Sequence, residues 1–209
     1  MSGRVGRRLL VAALAVAMAA LGGWQVLRPA PAAASTNYVV GIARWAYANS
    51  FNENVVDGVA RVGRSESGSL YRSYFAFDVA PLQGKHILAA AFVITLTHSW
   101  SCTSTPVNLY RVGPHGAGKQ PWPGPALVAW TDERSGHANK STSCGGPQPD
   151  MVMQFSNQLV GQVQAAADAN LTEFSVGLSA RRFDGSGEST ISWWKKFSPG
   201  SARLQVVYE

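Results

Sequence analysis

Cysteine is nearly missing from this chain. There are two, Cys102 and Cys144, and no Cys-x-x-Cys pair, so a tetrahedral thiolate zinc site lacks its ligands. Also missing are Gly-x-Ser-x-Gly, His-Glu-x-x-His and a phosphate-cradling glycine loop, which removes the usual hydrolase, metalloprotease and nucleotide signatures. The 12 acids are scattered rather than assembled. The four histidines do not cluster; His86 and His98 bracket one apolar stretch and read as structural. One long apolar run exists, Leu9 to Leu21, and it falls short of the ~20 residues that cross a bilayer. No internal repeat, coiled coil or interdomain linker is visible.

That apolar run belongs to a leader. Arg4, Arg7 and Arg8 precede it, and Ala32, Ala33 and Ala34 follow before Ser35, which is the plan of a secretory signal cleaved near Ala34. Residues 1–34 are therefore assigned to a signal peptide and residues 35–209 to a single domain. The leader holds four of the 18 basic residues and none of the acids, so the remainder carries a formal charge of only +2. The high pI is largely the leader's, and no basic stripe remains for nucleic acid. No membrane association is expected after cleavage, and a monomer is expected. In an exported chain a lone cysteine pair is most simply one disulfide, Cys102 to Cys144.

What is present is β-patterning. From Tyr71 to Val79 the residues Tyr71, Ser73, Phe75, Phe77 and Val79 alternate with Arg72, Tyr74, Ala76 and Asp78, the period of a strand. Pro81 and Gly84 then break the chain. His86 to His98 is almost continuously apolar, and Val93, Ile94, Thr95 and Thr97 favour a buried strand over a helix. Thr105 to Val112 alternates again. Further strands are expected at Asn37–Trp45, Val59–Arg64, Leu127–Trp130, Asp150–Phe155, Leu171–Ala180, Thr190–Phe197 and Ala202–Tyr208. Ser156–Ala169 is the one credible helix, with Ser156 as its cap and Leu159, Val160, Val163 and Ala167 on one side. Polar Ala46–Asp57, Gly/Pro-rich Gly113–Ala126 and polar Thr131–Pro149 read as connections. Many short strands with turn signals between them predict an all-β fold, an antiparallel β-sandwich of jelly-roll type with one short helix.

Several strings point to a family. ARVGR (60–64), YRSYFAFDVAPLQGKHI (71–87), HSWSCTSTPVNLYR (98–111), SWWKKF (192–197) and SARLQVVY (201–208) occur in that order. Together they resemble the DNRLRE-type β-sandwich modules of secreted actinobacterial proteins, although the namesake hexapeptide does not occur. The resemblance covers about Tyr38 to Tyr208. Because these modules are similar to carbohydrate-binding jelly rolls, it implies a non-catalytic exported module whose partner is a polysaccharide or cell-wall glycan.

Sugar binders use aromatic faces, with amides, carboxylates and lysines for the hydroxyls. Outside the leader lie Trp45, Trp100, Trp122, Trp130, Trp193 and Trp194. Trp193 and Trp194 must point to opposite faces of a strand. Ile191 and Phe197 place Trp193 inward and leave Trp194 outward with Lys196. Trp122 sits in the Gly/Pro loop, and Trp100 reads as packing on the disulfide. The expected ligand contacts are Trp122, Trp194, Tyr74 and Lys196. No cofactor is expected. A structural calcium at Asn52, Glu53, Asn54 and Asp57 is the alternative to a plain loop there, and the plain loop is preferred. Asp132 and Glu133 near His137 could serve a glycosidase, but adjacent acids in a polar loop read as solvated. The rival to a glycan binder is a structural or protein-interaction surface module.

Overall fold

The computed structural model describes residues 34–55 and 57–209; the expected signal peptide lies outside the described residues, apart from Ala34. Among the described residues eleven strands form: β1 (Thr36–Gly41), β2 (Arg44–Asn49), β3 (Ala60–Arg64), β4 (Leu70–Asp78), β5 (Ile87–Ser99), β6 (Thr105–Val112), β7 (Gly118–Lys119), β8 (Leu127–Gly136), β9 (Met151–Phe155), β10 (Glu173–Ser179) and β11 (Lys195–Tyr208), with α1 (Leu159–Asp168) between β9 and β10. Every pairing is antiparallel except β2 with the two-residue β7. One sheet carries β8, β6, β10, β4 and β2; the other carries β9, β5 and β11, with β1 and β3 successively beside β11. The expected all-β sandwich with one helix is the fold.

Strand β3 joins the sheets. Ala60, Arg61 and Val62 pair with β11, whereas Gly63 and Arg64 pair with β4. Gly63 sits at the switch with φ +89°, and a Cβ there would lie 3.1 Å from the Trp193 carbonyl oxygen. A side chain would thus be strained at this corner in both backbone and packing.

The core lies between the sheets. Phe75 and Phe77 of β4 meet Phe92 of β5, with ring centroids 5.5 and 6.0 Å apart, and Phe155 of β9 packs on Phe92 at 5.9 Å. All four are fully buried, each worth about 1.5–3 kcal/mol of transfer free energy. Leu159, Val163, Ala166 and Ala167 place one face of α1 on this core.

The chain departs from its sequence pattern at four places. β2 runs on to Asn49, inside the stretch expected to be loop. β8 continues through the polar Thr131–Gly136. Asp132, expected to be solvated, is 3 % exposed: one carboxylate oxygen accepts from the Ser156 and Asn157 amides at 2.7 and 3.1 Å. Ser156 is not the cap: Gln158 is the N-cap and gives no side-chain bond, and Asp132 ties down the two residues before it. Finally, Thr190–Phe197 is not one strand. Ile191–Trp193 is a 3-10 turn, and β11 then runs unbroken from Lys195 to Tyr208 with an irregular register between Ser198 and Arg203.

Candidate functional site

An open cleft of about 1030 Å³ lies at the corner where β3 changes sheets. Strand residues Arg61, Tyr71, His98 and Lys196 line it, with Trp100 and Trp194 beside them. Glu53, Asp57 and Glu66 reach it from the loops after β2 and β3, and Asn139, Ser141 and Ser143 from the segment after β8.

The register explains why these residues meet. Lys196 is opposite Arg61 on β3 and opposite His98 on β5. Directly opposite residues share one face of a sheet, so Arg61, Lys196 and His98 form a single row across three strands. Their chain neighbours Ala60, Val62, Lys195 and Phe197 are fully buried on the other face. The Arg61 guanidinium lies 5.8 Å from the Tyr71 ring centre and forms an ion pair with Asp57. The Tyr71 and Trp194 rings are 5.1 Å apart, tilted by 59°. Trp100 is 41 % exposed, and its amide donates to the Trp194 carbonyl at 3.0 Å. Burial, and then the charge of Lys196, pull the His98 pKa below its ordinary value.

Two devices hold the walls. The Asn49 side chain clasps Glu53 at both backbone groups, at 2.8 and 2.9 Å, and the Val55 amide donates to the Tyr47 hydroxyl at 2.7 Å. Opposite these, the Cys102–Cys144 disulfide, as expected, ties the end of β5 to the segment carrying Asn139, Ser141 and Ser143. Gln148 donates to the Cys102 carbonyl at 2.9 Å, and the Asn139 side-chain oxygen accepts from the Ser141 amide at 3.0 Å and its hydroxyl at 2.8 Å.

The four expected contact residues divide into two pairs. Trp194 and Lys196 are in the cleft, although Trp194 is only 7 % exposed rather than outward-facing. The 3-10 turn before it breaks the alternation on which that orientation depended. Tyr74 and Trp122 lie elsewhere, on the outer face of the β4 sheet, where the Gly/Pro loop folds over. Tyr74 is completely buried, which corrects its expected role as an accessible contact. Its hydroxyl donates to the Pro123 carbonyl at 2.8 Å, and burial pushes its pKa far up. Gly124, at φ +83°, is obligatory above it, since a Cβ there would lie 2.2 Å from the Tyr74 oxygen. Trp122 is half-buried, with the Arg72 guanidinium 4.8 Å from its ring centre.

Tyr71 and Arg61 are cleft residues not expected from the sequence to contact a ligand, and His98 and Trp100, expected to be structural, line the cleft as well. The alternation of β3, with Ala60 and Val62 inward, is the signal that places Arg61 outward. No local signal places His98 beside it, because that depends on long-range register. The oxygen-rich loop does not converge on a point: Asp57 pairs with Arg61, while Asn52 accepts from Lys119 at 2.8 Å and from the Trp122 amide at 3.3 Å. Among the described residues, no group of three His, Cys, Asp or Glu is arranged to hold a metal ion. Asp132, Glu133 and His137 have separate partners: backbone amides, Arg182 at 2.9 Å and Ser104 at 2.9 Å.

Among the described residues no helix is long and apolar enough to cross a membrane. No protein-family model and no curated protein matches the chain. Among solved structures, the chain is similar to a variant of the exo-β-1,3-galactanase from Phanerochaete chrysosporium, crystallised with β-1,3-galactotriose. The likeness is 13 % identical, has a TM-score of 0.30, and covers 79 % of this chain and 29 % of that one. The chain thus spans less than a third of that protein's length, and at this score the two are not shown to share a fold.

Proposed function

We propose that this protein is an exported, non-catalytic β-sandwich module of the DNRLRE type that binds a polysaccharide or cell-wall glycan in the corner cleft. One observation carries the reading: three aromatic side chains, Tyr71, Trp100 and Trp194, meet in one open cleft with amide, hydroxyl and charged side chains. Aromatic rings receive the flat C–H faces of a sugar, and the polar groups exchange water for its hydroxyls. The disulfide fits an oxidising compartment and so supports export.

Pull-down on insoluble polysaccharides and on peptidoglycan tests this. The processed protein is expected to be retained, and Trp100→Ala, at an exposed position, to lose most of that retention. Absence of retention on every polymer retires the reading. A second reading, a protein-interaction module, is favoured by one observation away from the cleft. Phe183 and Val128 are 71 % and 63 % exposed, and Phe183 lies edge-on to Trp130. Cross-linking to a stable partner, sensitive to Phe183→Ser and insensitive to Trp100→Ala, would select it.

A further inference from the structure

Like charges placed directly opposite one another on a sheet destabilise it, yet the cleft sets Arg61 directly opposite Lys196, with His98 completing the row on β5. Only one of the two cations is neutralised. Asp57 pairs with Arg61, while Lys196 and His98 form no ion pair among the described residues. Five cations away from the cleft, Arg44, Arg72, Arg134, Lys140 and Arg182, each meet a carboxylate. The cleft's remaining carboxylates, Glu53 and Glu66, are carried on loops rather than on the strand row and reach neither Lys196 nor His98 as ion-pair partners. The row is therefore left short of negative charge on its β11–β5 side, within a cleft that also offers aromatic rings.

We propose that the cleft recognises an oxyanion carried by its ligand, a carboxylate, sulfate or phosphate ester on the glycan, with Lys196 as the contact cation and His98 as its neighbouring hydrogen-bonding group. This rests on the glycan-binding reading and narrows it to acidic polymers. The anion supplies the charge that the strand row lacks. A sugar ring attached to it lies against Trp100 and the Tyr71–Trp194 pair, which neighbour the row. Burial, and then the Lys196 charge, disfavour the protonated form of His98; bound negative charge opposes both, so binding takes up a proton and tightens as the pH falls towards the His98 titration.

The test is calorimetry of the processed protein with three soluble polymers: polygalacturonate for carboxylate, poly(glycerol phosphate) for phosphate, and neutral dextran as control. The expected result is binding to at least one acidic polymer and weaker or no binding to dextran. Added salt is expected to weaken the acidic binding. Lys196→Gln is expected to lower it about tenfold or more, the size of a lost charge-assisted contact. Lys85→Gln, at an exposed lysine remote in the fold, is expected to change nothing. A second readout needs no variant: in sulfate, the His98 imidazole titration followed by NMR is expected to move to higher pH. Dextran bound as tightly as the acidic polymers, with no effect of Lys196→Gln or sulfate, overturns this inference and leaves the glycan reading standing. Failure to bind any polymer overturns both. Which acidic polymer binds separates the carboxylate from the phosphate source.

Discussion

Two places on this sandwich set an arginine against aromatic rings, and they are finished differently. On the outer face of the β4 sheet, Arg72 is buried beneath the Gly/Pro loop. Its guanidinium meets both oxygens of Glu188, at 2.5 and 2.8 Å, donates to the Pro123 carbonyl at 3.2 Å and carries the Trp122 ring. The polar groups of that guanidinium and of Tyr74 end on the protein itself. In the cleft, Arg61 meets Asp57, but the cation beside it in the row has no ion-pair partner among the described residues, and Trp100 is open while Tyr71 and Trp194 are buried at its wall. The first arrangement glues a loop to a sheet. The second leaves its chemistry facing outward. Aromatic and basic residues in proximity do not by themselves mark a site; an unfinished set of partners does.

The largest expected effect breaks the finished region. Arg72→Met leaves Glu188 buried without its cation, and such half-pairs cost about 3–5 kcal/mol. Urea unfolding is expected to show a loss of that order, with the cleft's Lys196→Met within about 0.5 kcal/mol of wild type because its head group is not internally paired. Equal losses at the two positions would erase the distinction. Nearly as large is the effect of the disulfide, which closes a sequence separation of 42 residues and is worth roughly 4 kcal/mol on the chain-entropy account. Cys102→Ser with Cys144→Ser is expected to lower the melting temperature and to weaken cleft binding, because the freed segment carries Asn139, Ser141 and Ser143. Intact affinity in that double variant would remove this wall from the binding site.

A smaller effect sharpens the same contrast. Gly124→Ala drives a methyl group into Tyr74 at a positive φ, and overpacking of this kind costs about 1–3 kcal/mol. The loop is expected to lift, exposing the tyrosine to titration nearer its ordinary pKa, while cleft ligands bind as before. An unchanged Tyr74 titration would show that the loop gives way without moving off the sheet.

The fold was legible because its strands follow period two on at least one face: Phe75 and Phe77, Phe92 and Ile94, Ala60 and Val62 all point where the alternation puts them. Polarity alone marks the Asp132 segment as loop, whereas its carboxylate is buried because it holds the Ser156 and Asn157 amides ahead of α1, 24 and 25 residues away in the chain. Half of the site was legible. Lys196 followed from its parity with neighbours that are buried, but Trp194 did not, since two consecutive tryptophans were resolved by a turn rather than by opposite faces. The row itself was invisible, because it needs the register of β3 and β5 on β11, and register is a long-range property that no local pattern fixes.

The last prediction concerns Lys195, which lies next to Lys196 in the chain and on the opposite face. Lys195 is fully buried and donates to the Thr105 hydroxyl, which in turn donates to the Ser192 carbonyl at 3.2 Å. It forms no ion pair among the described residues, and burial pulls its pKa down from 10.5 to about 7. Between those two values the unfolded chain binds a proton that the folded one does not, so stability rises with pH across that window. Below about pH 7 both states are protonated and the penalty of a buried ammonium is fully present. From pH 7 to 8 the unfolding free energy is expected to rise by about 1 kcal/mol. The His98 and His115 pKa values are lowered from 6.5, so their own contribution to stability is nearly complete by pH 7 and adds little to this rise. Lys195→Met, which leaves the Thr105–Ser192 bond in place, is expected to flatten the rise and to exceed wild-type stability at pH 6. A slope that persists in that variant would assign the titration to another group. It would also mean that this cation, like Arg72, is compensated by the protein's own groups.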